Sequence, residues 1–404
     1  MKKKKIVIIG GGAAAFFCAA NLDESKFHVT ILEQNSDVLQ KVKISGGGRC
    51  NVSHACFDPK ELVQFYPRGN KELLSVFHKF QPGDTMEWFE NRGVSLKIEK
   101  DNRIFPESNS SQSIIDAMLT EVRNKNFEIK TKSGVQEIEI REDQYLVKTN
   151  SGDHVADEII YCTGSSPKSF KILQKLGHQI VELVPSLFTF NIKNDALKDL
   201  MGTSFLNAEV SIPQLKMEES GPMLITHWGL SGPAILKISA WKARELAALR
   251  YQFSIHVNFL GIDLEDASEI FHQFRQDNPK KTIGASKIFD ITSRFWHRIL
   301  WLAKVDLNKN ISSLSTKEIQ NILQNLCKNE MKVTGKSTYK DEFVTAGGIE
   351  LKEINFKNMS SKILPNFYIA GEVLNIDAVT GGFNFQACWS EAFLIAQDLN
   401  SKSF

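Results

Sequence analysis

The stretch Lys4-Lys5-Ile6-Val7-Ile8-Ile9-Gly10-Gly11-Gly12-Ala13-Ala14-Ala15 decides how the chain folds. Lys4 to Ile9 is the β-branched run that a strand buried on both faces needs, and Ala13 to Leu22 is rich in helix formers with little polarity. The glycines between them are therefore the turn of a strand–turn–helix unit. A basic start followed by an apolar stretch also has the outline of a secretory signal. The glycines count against that reading, because each weakens a membrane-inserting helix by about 1 kcal/mol relative to alanine. As a turn, Gly10 to Ala15 fits G-x-G-x-x-G/A with alanine in the last place. Gly10 permits the tight turn, Gly12 lets a pyrophosphate approach the backbone, and Ala15 lets helix and strand pack closely. The helix N-terminus then faces the phosphates.

Phe27 to Leu32 reads as the second strand and ends at Glu33, 23 residues beyond Gly10. A carboxylate at that spacing accepts hydrogen bonds from an adenosine ribose and favours an unphosphorylated one, hence FAD or NAD over NADP. Next comes Lys43-Ile44-Ser45-Gly46-Gly47-Gly48-Arg49-Cys50-Asn51, where three glycines and a cation expose backbone to a ligand with phosphate or a polar ring edge. No Gly-Lys-Ser/Thr closes it, so it is not a Walker loop. Far downstream, Asn366 to Glu372 reads as a strand ending in a small residue and a carboxylate. Thr380 to Gln386 then contains a Gly-Gly turn, before a helix expected from about Ala387 to Leu399. A helix N-terminus there would stabilise charge on a reduced flavin. Gly134-Val135 opens a strand and Ile159 to Gly164 closes another, both expected in a sheet that wraps the dinucleotide.

A length of 404 residues, at about 150 per domain, predicts two or three domains. The net charge of +2 is too near balance for nucleic acid or an anionic membrane to be the principal partner. No apolar run approaches the roughly 20 residues that cross a bilayer. Cys18, Cys50, Cys56, Cys162, Cys327 and Cys388 form no C-x-x-C pair and no zinc spacing, so no metal site is expected. Free thiols fit a reducing compartment, and the expected location is the cytoplasm. The basic run Lys2 to Lys5 is read as solvated.

On these residues the chain resembles the BaiN-like (YhiN-like) flavoproteins, which include the aminoacetone oxidases. The resemblance runs nearly end to end. It rests on Gly10 to Ala15, Lys43 to Asn51, Asn102-Arg103-Ile104-Phe105-Pro106, Thr226-His227-Trp228-Gly229-Leu230-Ser231-Gly232-Pro233, Thr345 to Ile349, and Ala370 to Gln386. Two positions depart from the family pattern: Cys162-Thr163-Gly164-Ser165, where relatives commonly place Ala-Thr-Gly-Gly, and Asn102, where glycine is usual. The resemblance implies one FAD held by a Rossmann-like α/β domain with another domain inserted in it. It implies that Gly10, Gly12 and Ala15 face the pyrophosphate, Glu33 the ribose, and Val135 the adenine through its backbone, with Ala14, Gln34 and Lys43 also among the cofactor-binding residues. Ser45, Gly48, Arg49, Cys50 and Asn51 would line the isoalloxazine and ribityl end, with Thr163 and Gly164 beside the adenosine half. Gly371, Glu372, Gly382, Asn384 and Phe385 would complete the flavin site.

From Phe188 the pattern changes. Phe188, Phe190 and Ile192, and later Phe253, Ile255, Val257 and Phe259, alternate with polar residues, as half-buried antiparallel strands do. From Leu264 the period lengthens, and Ser315 with Glu318 forms a capping box ahead of Ile319, Ile322, Leu323 and Leu326. The expected organisation is a FAD-binding Rossmann-like domain from 1–190 and 336–404, an inserted β-barrel from 191–262 and a helical subdomain from 263–335. Trp296 and Trp301, with Phe295, Ile299 and Leu300, are expected in the core of that subdomain.

His227 lies in the insert. The resemblance brings it towards the flavin, where it could move a proton near neutral pH, against the alternative of a histidine satisfied by backbone. Cys50 is expected to be a small buried residue rather than a redox thiol. With a single fingerprint, FAD takes the only built-in dinucleotide site. The expected function is hydride transfer between a small organic substrate and the flavin, with transiently bound NAD(P)H or oxygen as electron partner. An FAD-dependent tRNA-modifying protein and a non-catalytic redox sensor remain the alternatives. The lack of a basic, aromatic-interleaved stripe speaks against RNA.

Overall fold

The computed structural model describes residues 3–193, 197–337 and 344–403. Lys2, at the head of the basic run, and residues 338–343, inside the expected 336–404 segment, lie outside them. The chain divides into two compact units, residues 1–184 with 340–404, and residues 185–339.

In the first unit the strand Lys4–Ile9 occupies the interior of a sheet ordered Ile354–Asn355, Ser360–Ser361, Phe367–Ile369, Glu158–Tyr161, Lys4–Ile9, Phe27–Leu32, Glu128–Lys130. The last five run parallel and the first two are an antiparallel edge. Ile6 to Ile9 are all buried, without alternation, because both faces are covered. The fold is the Rossmann type. The helix Ala13–Asn21 is buried from Ala14 to Ala20 and packs along the last helix, Phe383–Ser401. Its alanines permit close approach, and Phe17 seals the layer against Trp88 and Trp389, with ring centroids 4.5 and 5.1 Å away.

Val135–Arg141 departs from expectation. It pairs antiparallel with Gln144–Thr149, which pairs with Gly152–Ala156, and these three form a sheet of their own. Gln136, Glu137 and Arg141 are exposed, so this strand carries too much polar surface to be covered on both faces. Glu158–Tyr161, fully buried, does enter the central sheet. The last helix starts four residues earlier than expected, immediately after Gly382.

The second unit is an antiparallel sheet ordered Asn329–Val333, Phe253–Asn258, Ser204–Ile212, Met217–Ile225, Gly229–Ser231, Thr189–Asn191, Gly335–Ser337. The two end strands are consecutive in the chain and separated only by Thr334, so the sheet rolls until one segment serves both edges. The helices Leu264–Asp277, Ser293–Leu302 and Thr316–Cys327 share the core of this sheet, with Phe205 meeting Phe259 at 4.9 Å and Phe295 at 4.8 Å. The capping box forms: Ser315 N donates to Glu318 Oε2 at 2.8 Å and Glu318 N to Ser315 Oγ at 3.3 Å. Trp296 is buried and its Nε1 donates to the Ile283 carbonyl at 2.9 Å. Trp301 is 60% exposed, against the expectation that it packs in the core. Five positions along a helix turn the side chain about 140° away, which carries Trp301 off the face that holds Trp296.

Candidate functional site

Within the first unit the glycine turn is built to be close on one side and open on the other. A Cβ on Gly10 would stand 2.4 Å from the Cys162 carbonyl, and φ is +106°, so only glycine lets the first and fourth parallel strands converge there. In front of Gly12 nothing lies within 4 Å of where a Cβ would be, and no side chain caps the helix that begins beside it. Glu33 is buried. Its Oε2 accepts Gly11 N at 2.7 Å, and its Oε1 accepts the backbone N (2.8 Å) and Nδ2 (2.7 Å) of Asn35. Gln34 lies against Gly134, next to Val135, with 3.3 Å between its Cβ and the Gly134 Cβ position. Ala14 approaches Gly371, and Gly164 approaches Glu372 Oε2. Thr163 is tied to Ser169 through their hydroxyls, and Glu372 to Lys41 and to Thr345 N. These residues from both ends of the chain thus meet around the turn.

A second cluster surrounds Gly381-Gly382. The helix Gln40–Gly48 loses helical geometry at Ser45, Gly46 and Gly47, so Lys43 sits on its helical part and Gly47 and Gly48 open to free space. Ser45 O accepts Cys50 N at 3.0 Å and closes this loop. Asn51 donates from its amide nitrogen to Ser53 O at 3.0 Å and accepts Gly382 N at 2.9 Å through its oxygen. Asn384 clamps Ala378 through N (3.0 Å) and O (3.3 Å), and the Phe385 ring stacks on Trp389 at 5.5 Å. Arg49 pairs with Glu99 at 2.7 Å and lies 3.9 Å over Phe105, and the two contacts orient its guanidinium. Burial pushes the Cys50 thiol up to about 12, so it is a neutral thiol at physiological pH.

Sequence reasoning missed His54. Its ring stacks on Phe383 at 4.5 Å, burial holds its pKa below the usual histidine value, and its buried Nδ1 meets no partner among the described residues. The only sequence signal was its position three residues after Asn51. Another buried histidine, His178, lies between Glu353 (Nδ1–Oε2, 2.8 Å) and Ser361 (Nε2–Oγ, 3.1 Å), the order of a nucleophilic triad. Ser361 Oγ also accepts the amides of Ile363 and Leu364 at 3.0 and 2.9 Å, so the arrangement fastens the sheet edge.

His227 lies in the second unit, exposed on the loop between Met217–Ile225 and Gly229–Ser231. It lines a cavity of about 400 Å³ with Lys193, Lys198 and Thr226.

The family model for the HI0933-like protein Rossmann domain matches residues 4–398. The chain belongs to that family. The family is one of flavoprotein oxidoreductases on a Rossmann FAD-binding fold. Among curated relatives, the chain is similar to the ribosomal RNA dihydrouridine synthase of Escherichia coli (strain K12), 25% identical over 95% of this chain and 94% of that one. It is also similar to the 3-dehydro-bile acid delta(4,6)-reductase of Clostridium scindens, 24% identical over 93% of each. Among solved structures, the 3-ketosteroid-delta4-(5alpha)-dehydrogenase of Rhodococcus jostii RHA1 superposes with a TM-score of 0.51 at 10% identity, over 98% of this chain and 97% of that one. That likeness concerns the fold. Among the described residues no helix is long and apolar enough to cross a membrane, and no cluster of three metal-ligating side chains occurs.

The residues fit an extended dinucleotide with a flavin at one end. The open space before Gly12, at an uncapped helix start, would admit a pyrophosphate, and Glu33 stands at the end of the second strand where a ribose would lie. The glycines at 47 and 48 leave a second opening.

Proposed function

We propose that the chain is an FAD-dependent reductase that acts on a carbon–carbon double bond conjugated to a carbonyl in a small organic molecule, with NAD(P)H as the source of electrons. The observation that carries the cofactor is the Gly12 cradle with Glu33 beside it. The names of two curated relatives support the reaction class. Uracil and a 3-oxo steroid with 4,6 unsaturation share one feature, a double bond in conjugation with a ring carbonyl. FAD, when bound, supplies an acceptor and donor of hydride.

This chain's own residues have three tasks. Gly12, with the start of helix Ala13–Asn21, holds the phosphates, and Glu33 accepts the ribose hydroxyls. Asn51, Gly382 and Asn384 hold the Gly-Gly turn in one shape and aim the start of helix Phe383–Ser401, whose dipole favours negative charge in front of it. Reduction of a conjugated double bond also needs a proton. His227 is the candidate to supply it, and His54 Nδ1, buried with its pKa held down by desolvation, is an acceptor on the flavin-binding unit.

Purified protein should be yellow and release FAD on denaturation. Colourless protein that FAD cannot reconstitute sinks the cofactor assignment. Anaerobic NADH or NADPH should bleach the flavin, and a conjugated enone should restore its colour. Bleaching by small amines, with none by either nicotinamide, would replace the reductase with an oxidase.

A further inference from the structure

Glu391 is an acid that the proposed reaction does not use, and it is buried in the interior of the first unit. It lies on helix Phe383–Ser401, more than two turns past the start and beyond the reach of the helix dipole. Its Oε2 accepts Gly371 N at 2.6 Å. Gly371 in turn sits where three elements of the nucleotide fold converge. It follows strand Phe367–Ile369, and a Cβ there would stand 3.5 Å from Ala14 Cβ on the first helix and 3.6 Å from Cys388 Sγ on the last. Its φ of +84° turns the chain so that Glu372, the next residue, reaches Thr345 N and Lys41. The C-terminal ends of parallel strands are where such sheets take their ligands. One hydrogen bond from Glu391 thus fixes the backbone that stands against the start of helix Ala13–Asn21.

A carboxylate in such a place calls for a cation, and among the described residues the titratable groups that face Glu391 are neutral. They are Cys388 on its own helix, Cys162 at the end of strand Glu158–Tyr161, and Tyr66, whose hydroxyl donates to Phe383 O at 2.6 Å. Burial holds all three well above their usual values. Cys18, on the first helix, faces Cys162 and is kept neutral by burial too. Glu372 and Lys41 face Cys388 and are paired with each other. Burial likewise pushes the Glu391 carboxyl up to about 8. A neutral acid still accepts Gly371 N, whereas an anion there would stand close to any phosphate held at the first helix.

We infer that Glu391 is a positioning residue for the cofactor: as a neutral acid it holds Gly371 against the start of helix Ala13–Asn21, and loss of its proton weakens the hold on FAD. The inference rests on the FAD assignment proposed above. Its sign follows from linkage. Below pH 8 the carboxyl is neutral with and without FAD, so affinity is flat. Above that value the free protein has lost a proton that the complex must take up, and affinity falls by up to about tenfold per pH unit.

The test titrates full-length apoprotein with FAD, followed by flavin fluorescence, from pH 6.5 to 9.5. The dissociation constant of the wild type should stay level to about pH 8 and rise roughly tenfold by pH 9.5. E391Q keeps an acceptor for Gly371 N and has no proton to lose, so it should match the wild type at pH 6.5 and stay level throughout. E391A, which leaves Gly371 N without its acceptor, should bind about tenfold more weakly at every pH. Circular dichroism of the apoprotein at each pH separates weakened binding from lost fold, and E391Q carries the test if E391A does not fold. Identical pH profiles in the wild type and E391Q overturn the inference while leaving FAD in place. So does an affinity that falls only where the fold is lost, or an E391Q as weak as E391A at pH 6.5. Protein that binds no FAD at pH 6.5 overturns the cofactor assignment, and this inference with it.

Discussion

Glu33 Oε2 accepts the backbone N–H of Gly11 at 2.7 Å, so the acid that follows the second strand also braces the glycine turn. In the proposed site one side chain would serve the ribose and the turn together. E33A should weaken FAD binding by about 1 to 3 kcal/mol, roughly 5- to 150-fold, and E33Q by less because an acceptor remains. Titration of apoprotein with FAD, followed by flavin fluorescence, measures both. Equal affinity in E33A and the wild type would remove Glu33 from the site.

Two glycines should respond to alanine in opposite ways. At Gly382 the added Cβ would meet Ser53 O at 2.5 Å with φ at +93°, so G382A should lose about 2 kcal/mol or more of stability. At Gly12 nothing lies within 4 Å of the new methyl and φ is −94°, so G12A should melt as the wild type does yet retain little FAD. Urea denaturation and flavin content distinguish the two. A stable, flavin-loaded G12A would show that no pyrophosphate approaches that backbone.

Cys50 is fully buried and its thiol is pushed up to about 12. In native protein at pH 8 it should resist iodoacetamide, as peptide mass spectrometry would show, and C50S should keep the flavin. Rapid labelling of Cys50 would reopen a redox role.

Glu391 is buried on the last helix, accepts Gly371 N at 2.6 Å, and burial pushes its carboxyl up to about 8 from 4.5. Between those values the folded protein keeps a proton that the unfolded chain releases. The stability is fully present below pH 4.5 and declines as pH rises towards 8, by up to about 1.4 kcal/mol per pH unit. E391Q keeps an acceptor for Gly371 N and should flatten this slope in urea denaturation from pH 5 to 8.

For His227, replacement by alanine should lower kcat about 100-fold with FAD content unchanged, the usual scale for a lost proton carrier. Unchanged turnover would leave the residue a surface role in its loop.

The parts that were legible in the sequence are those in which local chemistry dictates geometry. Ile6 to Ile9, Gly10 and Ala15 follow from burial on both faces and close packing, and the Ser315–Glu318 box from capping. Asn102 adopts φ +62°, a left-handed position that asparagine tolerates, so the departure from glycine leaves the loop intact. What was hidden depends on distant partners. The pairing of Arg49 with Glu99 and Phe105 cannot be read from its place after the three glycines, and His54 gains meaning only from Phe383, far away in sequence. Trp301 was assigned to the core because apolarity was read without phase: two tryptophans five positions apart on a helix cannot both face inward.

The central sheet sets an order on biosynthesis. Strand Phe367–Ile369 pairs with Glu158–Tyr161, and helix Phe383–Ser401 packs on Ala13–Asn21, so the ribosome must deliver the far segment before the nucleotide site has its walls. The unit at 185–339 is complete earlier and can fold while the first helix still waits for its partner. Capture of FAD then belongs to the last stage of synthesis. Chains truncated before residue 383 would present the apolar helix Ala13–Asn21 to the quality-control machinery rather than to the cofactor.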